Sequence, residues 1–121
     1  MKVSVRVTKS FIAAAKPLLK KYPSLKNDLL RLEKELHKNP REGTPLGHRA
    51  YKIRLKISSK SKGKSGGARV ISLLETIIVG EVEQLEDEVV VNLITIYDKT
   101  DTASISDKEL KQLIKDFFDN E

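Results

Sequence analysis

Residues 51–57 alternate without a break. Tyr51, Ile53, Leu55 and Ile57 stand at the odd positions, and Lys52, Arg54 and Lys56 lie between them. Side chains on a strand point to opposite faces with a period of two, so this stretch has one apolar and one cationic face. The apolar face has to be buried against something. Three cations on the other face repel one another, and such a row is unfavourable to build unless an anion comes to it. Residues 58–67 extend the same character as a Gly/Ser loop carrying Lys60, Lys62 and Lys64, and Arg69 follows as the chain enters the next apolar run. Phosphate is the natural counterpart.

The overall charge of +6 conceals a polarity along the chain. Up to Arg69 there are 19 Lys and Arg against 4 Asp and Glu, and from Val70 on there are 4 against 13, which makes +15 and −9. Positive charge gathered on one strand and its loop favours an anionic partner over two merely solvated faces. With 121 residues the chain is long enough for one domain with a hydrophobic core, residues 1–121, and too short for two. It has no cysteine, so disulfides and thiolate zinc sites are excluded. Its two histidines and scattered acids show no ligand spacing, so no metal and no cofactor is expected. The N-terminal residues lack the apolar core of a signal peptide and no run is long enough to span a bilayer, so a cytoplasmic protein with no membrane partner is expected.

Taken in order, residues 2–8 alternate as a half-buried strand. Phe11, Ala15, Leu18 and Leu19 then follow helical spacing to Tyr22, with Ser10 as the expected N-cap and Pro17 as a source of kinking. Pro23 breaks the helix. Ser24 is placed to cap a second one, whose stripe is Leu25, Leu29, Leu32 and Leu36. The Pro- and Gly-rich residues 39–47 read as a connector to the basic strand. Residues 68–79 and 89–97 read as interior strands joined across an acidic hairpin end. Ser106 and Glu109 form a capping box for a last helix, with Leu110, Leu113, Ile114 and Phe117 as its apolar face. The expected fold is therefore α+β, order β-α-α-β-β-β-α: a small four-stranded, mainly antiparallel sheet, a helical hairpin packed on one face, and a C-terminal helix.

This order, together with Asn39-Pro40, Gly43 and Leu46, the stretch Tyr51-Lys52-Ile53-Arg54-Leu55, the entry Gly66-Gly67-Ala68-Arg69-Val70-Ile71 and the closing Tyr97-Asp98-Lys99, resembles the RelE/ParE superfamily of toxins from toxin–antitoxin systems. The resemblance covers nearly the whole chain. It implies helices on one face of a small sheet and a basic concave face on the other. It also implies a cognate antitoxin as partner, and one of two targets: messenger RNA in the ribosome, cleaved by RelE-type members, or DNA gyrase, poisoned by ParE-type members. Lys52 and Arg54 match the paired cations of the basic strand, Arg69 matches the arginine opening the next strand, and Lys99 falls at the end of the closing strand. The expected activity is ribosome-dependent, metal-independent messenger-RNA cleavage that inhibits translation. RelE itself carries a catalytic tyrosine shortly after the closing strand. Residues 100–105 hold none, which keeps open a gyrase poison without nuclease activity or an inactive binding protein on the same fold.

Cleavage of RNA without a metal requires a proton acceptor for the 2′-hydroxyl, a donor to the leaving oxygen, and stabilisation of charge on phosphorus. Neighbouring cations favour the neutral amine at Lys52, which makes it the candidate base. Arg54 and Arg69 suit a phosphate clamp, and Lys56, Lys60, Lys62 and Lys64 suit looser backbone contacts. Tyr97 and His48 are the candidate acids, against readings as a core aromatic and a loop histidine. His37 reads as a favourable charge at a helix C-terminus. Gly63-Lys64-Ser65 is no Walker A motif, because Ser58 stands where its first glycine is needed and a strand follows.

Overall fold

The structure, a computed structural model, describes residues 2–60, 67–80, 86–102 and 104–120. Its elements are β1 (Lys2–Val7), α1 (Lys9–Lys21), α2 (Leu25–Lys38), β2 (Thr44–Gly47), β3 (Ala50–Leu55), β4 (Ala68–Val79), β5 (Glu86–Asp98) and α3 (Asp107–Asn120). Among the described residues the strands form one sheet in the order β1-β5-β4-β3-β2, with β1 parallel to β5 and the other neighbours antiparallel. The α+β class holds, and the expected elements follow in the expected order with one strand added after α2, giving β-α-α-β-β-β-β-α. The sheet itself is corrected in its strand count: it has five strands, not four, and it is mixed, with three of its four pairings antiparallel. The added strand, β2, comes out of the connector, where Thr44 pairs with Lys52 and Pro45 with Tyr51. A proline is admissible there because β2 is an edge strand. The turn between β2 and β3 places His48 and Arg49 at φ 55° and 63°, the left-handed geometry a two-residue hairpin needs and that glycine or asparagine adopts at lower cost.

The helical hairpin lies on one face. Phe11, Ala15, Leu18 and Tyr22 of the first helix and Leu25, Leu32 and Leu36 of the second bury against Ile53, Leu55, Val70, Leu74, Val89, Val91, Leu93 and Ile96. Pro17 lies within α1, which continues through it. The second face is not left free. Leu110 and Phe117 of α3 bury against Ala50, Ile71, Leu73 and Ile94, which corrects the expectation of an open basic face. Close approach of the backbone fixes the loop on either side of β3. A Cβ on Gly67 would overlap the Leu55 carbonyl oxygen, and one on Gly43, at φ 105°, would overlap that of Lys52.

One irregularity decides what the end of β5 presents. Ile71 pairs with Thr95, but Ser72 pairs with Leu93, so Ile94 is an extra residue on β5. Such a bulge breaks the alternation of faces. Val89, Val91 and Leu93 face the helical hairpin, and after the bulge Ile96 does so, while Ile94 and Tyr97 join the face under α3. Strict alternation from Leu93 would have turned Tyr97 toward the helical hairpin.

The bulge is held from the start of α1. Thr8 donates its hydroxyl to the Leu93 carbonyl at 2.8 Å and its N–H to the same oxygen at 3.2 Å, and Ser10 donates its hydroxyl to the Ile94 carbonyl at 2.6 Å. Thr8 also accepts from the Phe11 N–H, which makes it the N-cap. Ser10, expected in that role, is the second residue of the helix and serves the bulge instead. Thr8→Val should therefore cost about 2 kcal/mol and Ser10→Ala about 1 kcal/mol in urea unfolding, since each leaves a strand carbonyl without its side-chain donor. In the same assay His48→Asn with Arg49→Gly should add about 1 kcal/mol by removing the left-handed penalty.

Candidate nucleic-acid interface

The register of the sheet assembles the site. Arg54 on β3 is paired with Arg69 on β4, and Arg69 with Tyr97 on β5, so the three form one row across adjacent strands. Neighbouring strands lie about 4.8 Å apart, so the side chains of such a row are immediate neighbours. The next row is Thr44, Lys52, Ile71 and Thr95. Lys99 sits at the same end of the sheet, where its N–H donates to the Gly67 carbonyl at 3.0 Å. The second core occupies the rows of Ile71 and Leu73, and the Arg54–Arg69–Tyr97 row follows immediately beyond it. Lys52, Arg54, Arg69 and Lys99 are thus gathered at one end of one sheet.

The cations of this cluster differ in access. Arg54 is exposed and Lys52 half-buried, whereas Arg69 is only 5% exposed and donates to the Ala68 carbonyl at 3.1 Å. Arg69 is therefore a held cation and not the open fork expected of it. Lys56 is exposed past the end of β3, where it lines a small cleft with Arg31 and Glu35 of α2. His48, six residues along from Arg54, is roughly 20 Å away by strand geometry, so it cannot serve as acid at this row. His37 lies on α2 with its Nε2 4.0 Å from Glu33. Lys62 and Lys64 lie outside the described residues.

Lys60 requires the clearest correction. Its ammonium is 2.9 Å from the Asp98 carboxylate and lies over the Tyr22 ring at 4.9 Å from the centroid, so it is a fixed internal cation and not a mobile phosphate contact. Asp98, 2% exposed, also accepts from the Tyr22 hydroxyl, the Thr100 N–H and the Thr100 hydroxyl. A second buried carboxylate, Asp28, accepts from the Ser58 N–H at 3.0 Å and from the hydroxyls of Ser58 and Ser24 at 2.6 and 2.8 Å. Together they fix residues 58–60, the root of the basic loop. Burial alone would raise both carboxyls. For Asp98 the hydrogen bonds from Tyr22, Lys60 and Thr100 outweigh it, and for Asp28 those from Ser58 and Ser24 with the Arg31 charge do so, leaving both below the ordinary carboxylate range.

Beside the row, a cavity of about 370 Å³ opens between the sheet and α3, lined by Thr95, Tyr97, Thr102, Ile105, Glu109, Gln112 and Leu113. The Tyr97 hydroxyl oxygen is buried; the Ile105 backbone acts on it without full hydrogen-bond geometry, and no other partner is within bonding distance among the described residues. Burial pushes this phenol up, against the opposing effects of the Ile105 backbone and the Arg69 charge and with the help of Glu109. It therefore keeps its proton near neutral pH. Tyr97 suits the role of hydrogen-bond donor better than that of general acid.

Comparison with protein-family models, with curated proteins and with solved structures gave no match to this chain. No helix among the described residues is long and apolar enough to cross a membrane.

The buried carboxylates generate a pH dependence of known sign. Both have folded pKa values below the unfolded value of about 3.9 for Asp, so their stabilisation is complete above that value and is lost as pH falls below it. Asp98→Asn should flatten the acid limb of stability and cost about 3 kcal/mol at neutral pH, because Lys60 is left without its partner. Urea midpoints between pH 2 and 7 for both proteins measure this.

Proposed function

We propose that the chain is the toxin of a toxin–antitoxin pair and acts as a ribosome-dependent messenger-RNA endonuclease that inhibits translation in the cytoplasm. The observation that carries this reading is the Arg54–Arg69–Tyr97 row with Lys52 in the next row and Lys99 at the same end of the sheet. Such a cluster stabilises charge developing on a phosphate. In this reading Arg54 grips the phosphate, Arg69 supplies fixed positive charge from below, and Lys52 accepts the 2′-hydroxyl proton. The polarity of the sheet supports it too. The 12 residues of β4 run from the cationic end at Arg69 toward Glu75 and the acidic end of the hairpin, roughly 35 Å away, so a polyanion is drawn to one end and repelled from the other.

An antitoxin would need apolar surface to bury. A groove of about 440 Å³ between α1, α2 and β1 offers it, with Val7, Ile12, Leu19 and Leu30 exposed and Lys16 and Lys26 beside them. A second reading, a gyrase poison without nuclease activity, is favoured by one observation: the connection from Asp98 to α3 carries no tyrosine.

Induction without a partner should arrest translation and growth and leave new transcript ends within coding regions. Arg54→Ala with Lys52→Ala should restore growth while the protein remains folded. Intact transcripts with arrested replication would replace this reading with the gyrase one, and harmless accumulation of folded wild-type protein would reject both.

A further inference from the structure

We propose that the far end of β4 is a self-association edge, on which a second copy of this chain lays its own β4 antiparallel, about a two-fold axis at Ile77. β3 ends its pairing with β4 at Ala50 and Leu73, and beyond it the Leu74 N–H donates to the Arg49 carbonyl at 2.9 Å. On an antiparallel strand the N–H and C=O of a residue point to one side, and alternate residues share that side. Thr76 and Ile78 therefore present theirs where β3 has stopped, and no described residue pairs with them there. Their side chains are bare as well: Thr76 is exposed, Ile77 is 40% exposed and Ile78 65%. Open edges elsewhere in the sheet are guarded. β1 carries Lys2 and Arg6, β2 contains Pro45, and β3 carries Arg54 where β2 has left it. Charge and proline keep an edge from pairing with another chain, and Thr76-Ile77-Ile78 has neither.

The edge fits a copy of itself. With Ile77 opposite the second copy's Ile77, each Thr76 stands opposite an Ile78, and both pairs exchange backbone bonds in the two directions. Neighbouring registers do worse. An axis at Thr76 needs the Leu74 N–H, which Arg49 already receives, and an axis at Ile78 needs Gly80, where the backbone turns to φ 113° and leaves the strand. The side chains agree with the axis at Ile77. Leu74 faces the helical hairpin and Leu73 faces α3, so Ile78 lies on the hairpin side beside the second copy's Thr76, and the two Ile77 side chains meet on the other side. Glu75, the acid on this edge, stands opposite Val79 and already accepts from the Asn92 amide at 2.8 Å. The acids of β5 do not oppose the pairing. Glu88 is paired with Ile77, so the two copies hold these carboxylates three strand spacings apart, roughly 14 Å, beyond the screening length of about 8 Å. The cationic ends at Arg69 point outward, roughly 50 Å from each other, so the association leaves them open and is independent of the RNA reading.

The test is sedimentation equilibrium and NMR on the full chain. So short an edge makes a small, transient interface, and the wild-type protein should pass from one chain toward two between about 10 µM and 1 mM. Over the same range the amides of Thr76, Ile77 and Ile78 should shift, and those of Thr76 and Ile78 should gain protection from hydrogen exchange. Ile77→Lys and Ile77→Glu each set like charges against one another at the axis and should weaken self-association at least about tenfold. Ile77 is exposed, so both variants should keep native spectra away from the edge. Mixing the two variants should restore association, because opposite charges then meet at the axis. A wild-type chain that stays single at about 1 mM overturns the proposal and leaves the edge to a strand of another protein. Dimers whose shifts lie on another surface, single variants that associate like the wild type, or mixed variants that stay apart overturn it as well. Toxicity and transcript cleavage judge the RNA reading separately, since neither depends on this edge.

Discussion

The site depends on one extra residue in β5. With Ile94 bulged out, the closing strand presents Leu93 to the helical hairpin and Tyr97 to the opposite face, which its alternation alone would not allow. The bulge survives because its carbonyls have donors. Thr8 and Ser10, at the start of the first helix, supply them, so a residue pair some 85 positions upstream determines which face Tyr97 joins. The same two residues begin α1 and register it on the sheet. Helix start, bulge and site are therefore one mechanical unit.

A second constraint acts at the other side of the site. The basic loop emerges between two buried carboxylates, and residues 58–60 are bound to both. Two ionised groups inside a small domain are expensive to desolvate, and each is stable only because three or more donors surround it. The effect is to fix where the loop leaves the core, independently of what the loop itself does. Gly67 matches this on the far side, since only a residue without a side chain lets the returning chain press against the Leu55 carbonyl.

Much of the fold was legible in the sequence because its signals are periodic. The alternation of residues 51–57, the leucine stripe of α2 and the serine cap at Ser106 each survive in the structure, although Glu109 accepts from the Ser106 hydroxyl and not from its N–H as a full capping box would have it. The row of Arg54 and Arg69 was half legible: each residue type was visible, but their pairing depends on register. Tyr97 could not be placed, because residues 89–97 are almost uniformly apolar and a bulge in such a run leaves no mark in the pattern. Lys60 was misread for a different reason. A lysine in a Gly/Ser loop looks solvated, and nothing local shows that Asp98, 38 residues away, waits for it. The strand β2 was hidden by its own proline and glycine, which mark turns far more often than edge strands.

On the proposed reading, the placement of α3 limits the shape of anion that the cationic end would meet. Its apolar face covers the rows of Ile71 and Leu73, so the Arg54–Arg69–Tyr97 row borders a covered region and not the middle of an open sheet. A rigid duplex laid along the face would collide with the helix. A single strand would bring one phosphate to Arg54 without meeting it. Aromatic residues are few, so on that reading affinity would come chiefly from charge, with Arg69 contributing from a buried position where salt screens it least. On that reading an exposed arginine beside a buried one divides the work: Arg54 would capture a phosphate in a salt-sensitive way, and Arg69 would hold its charge in place.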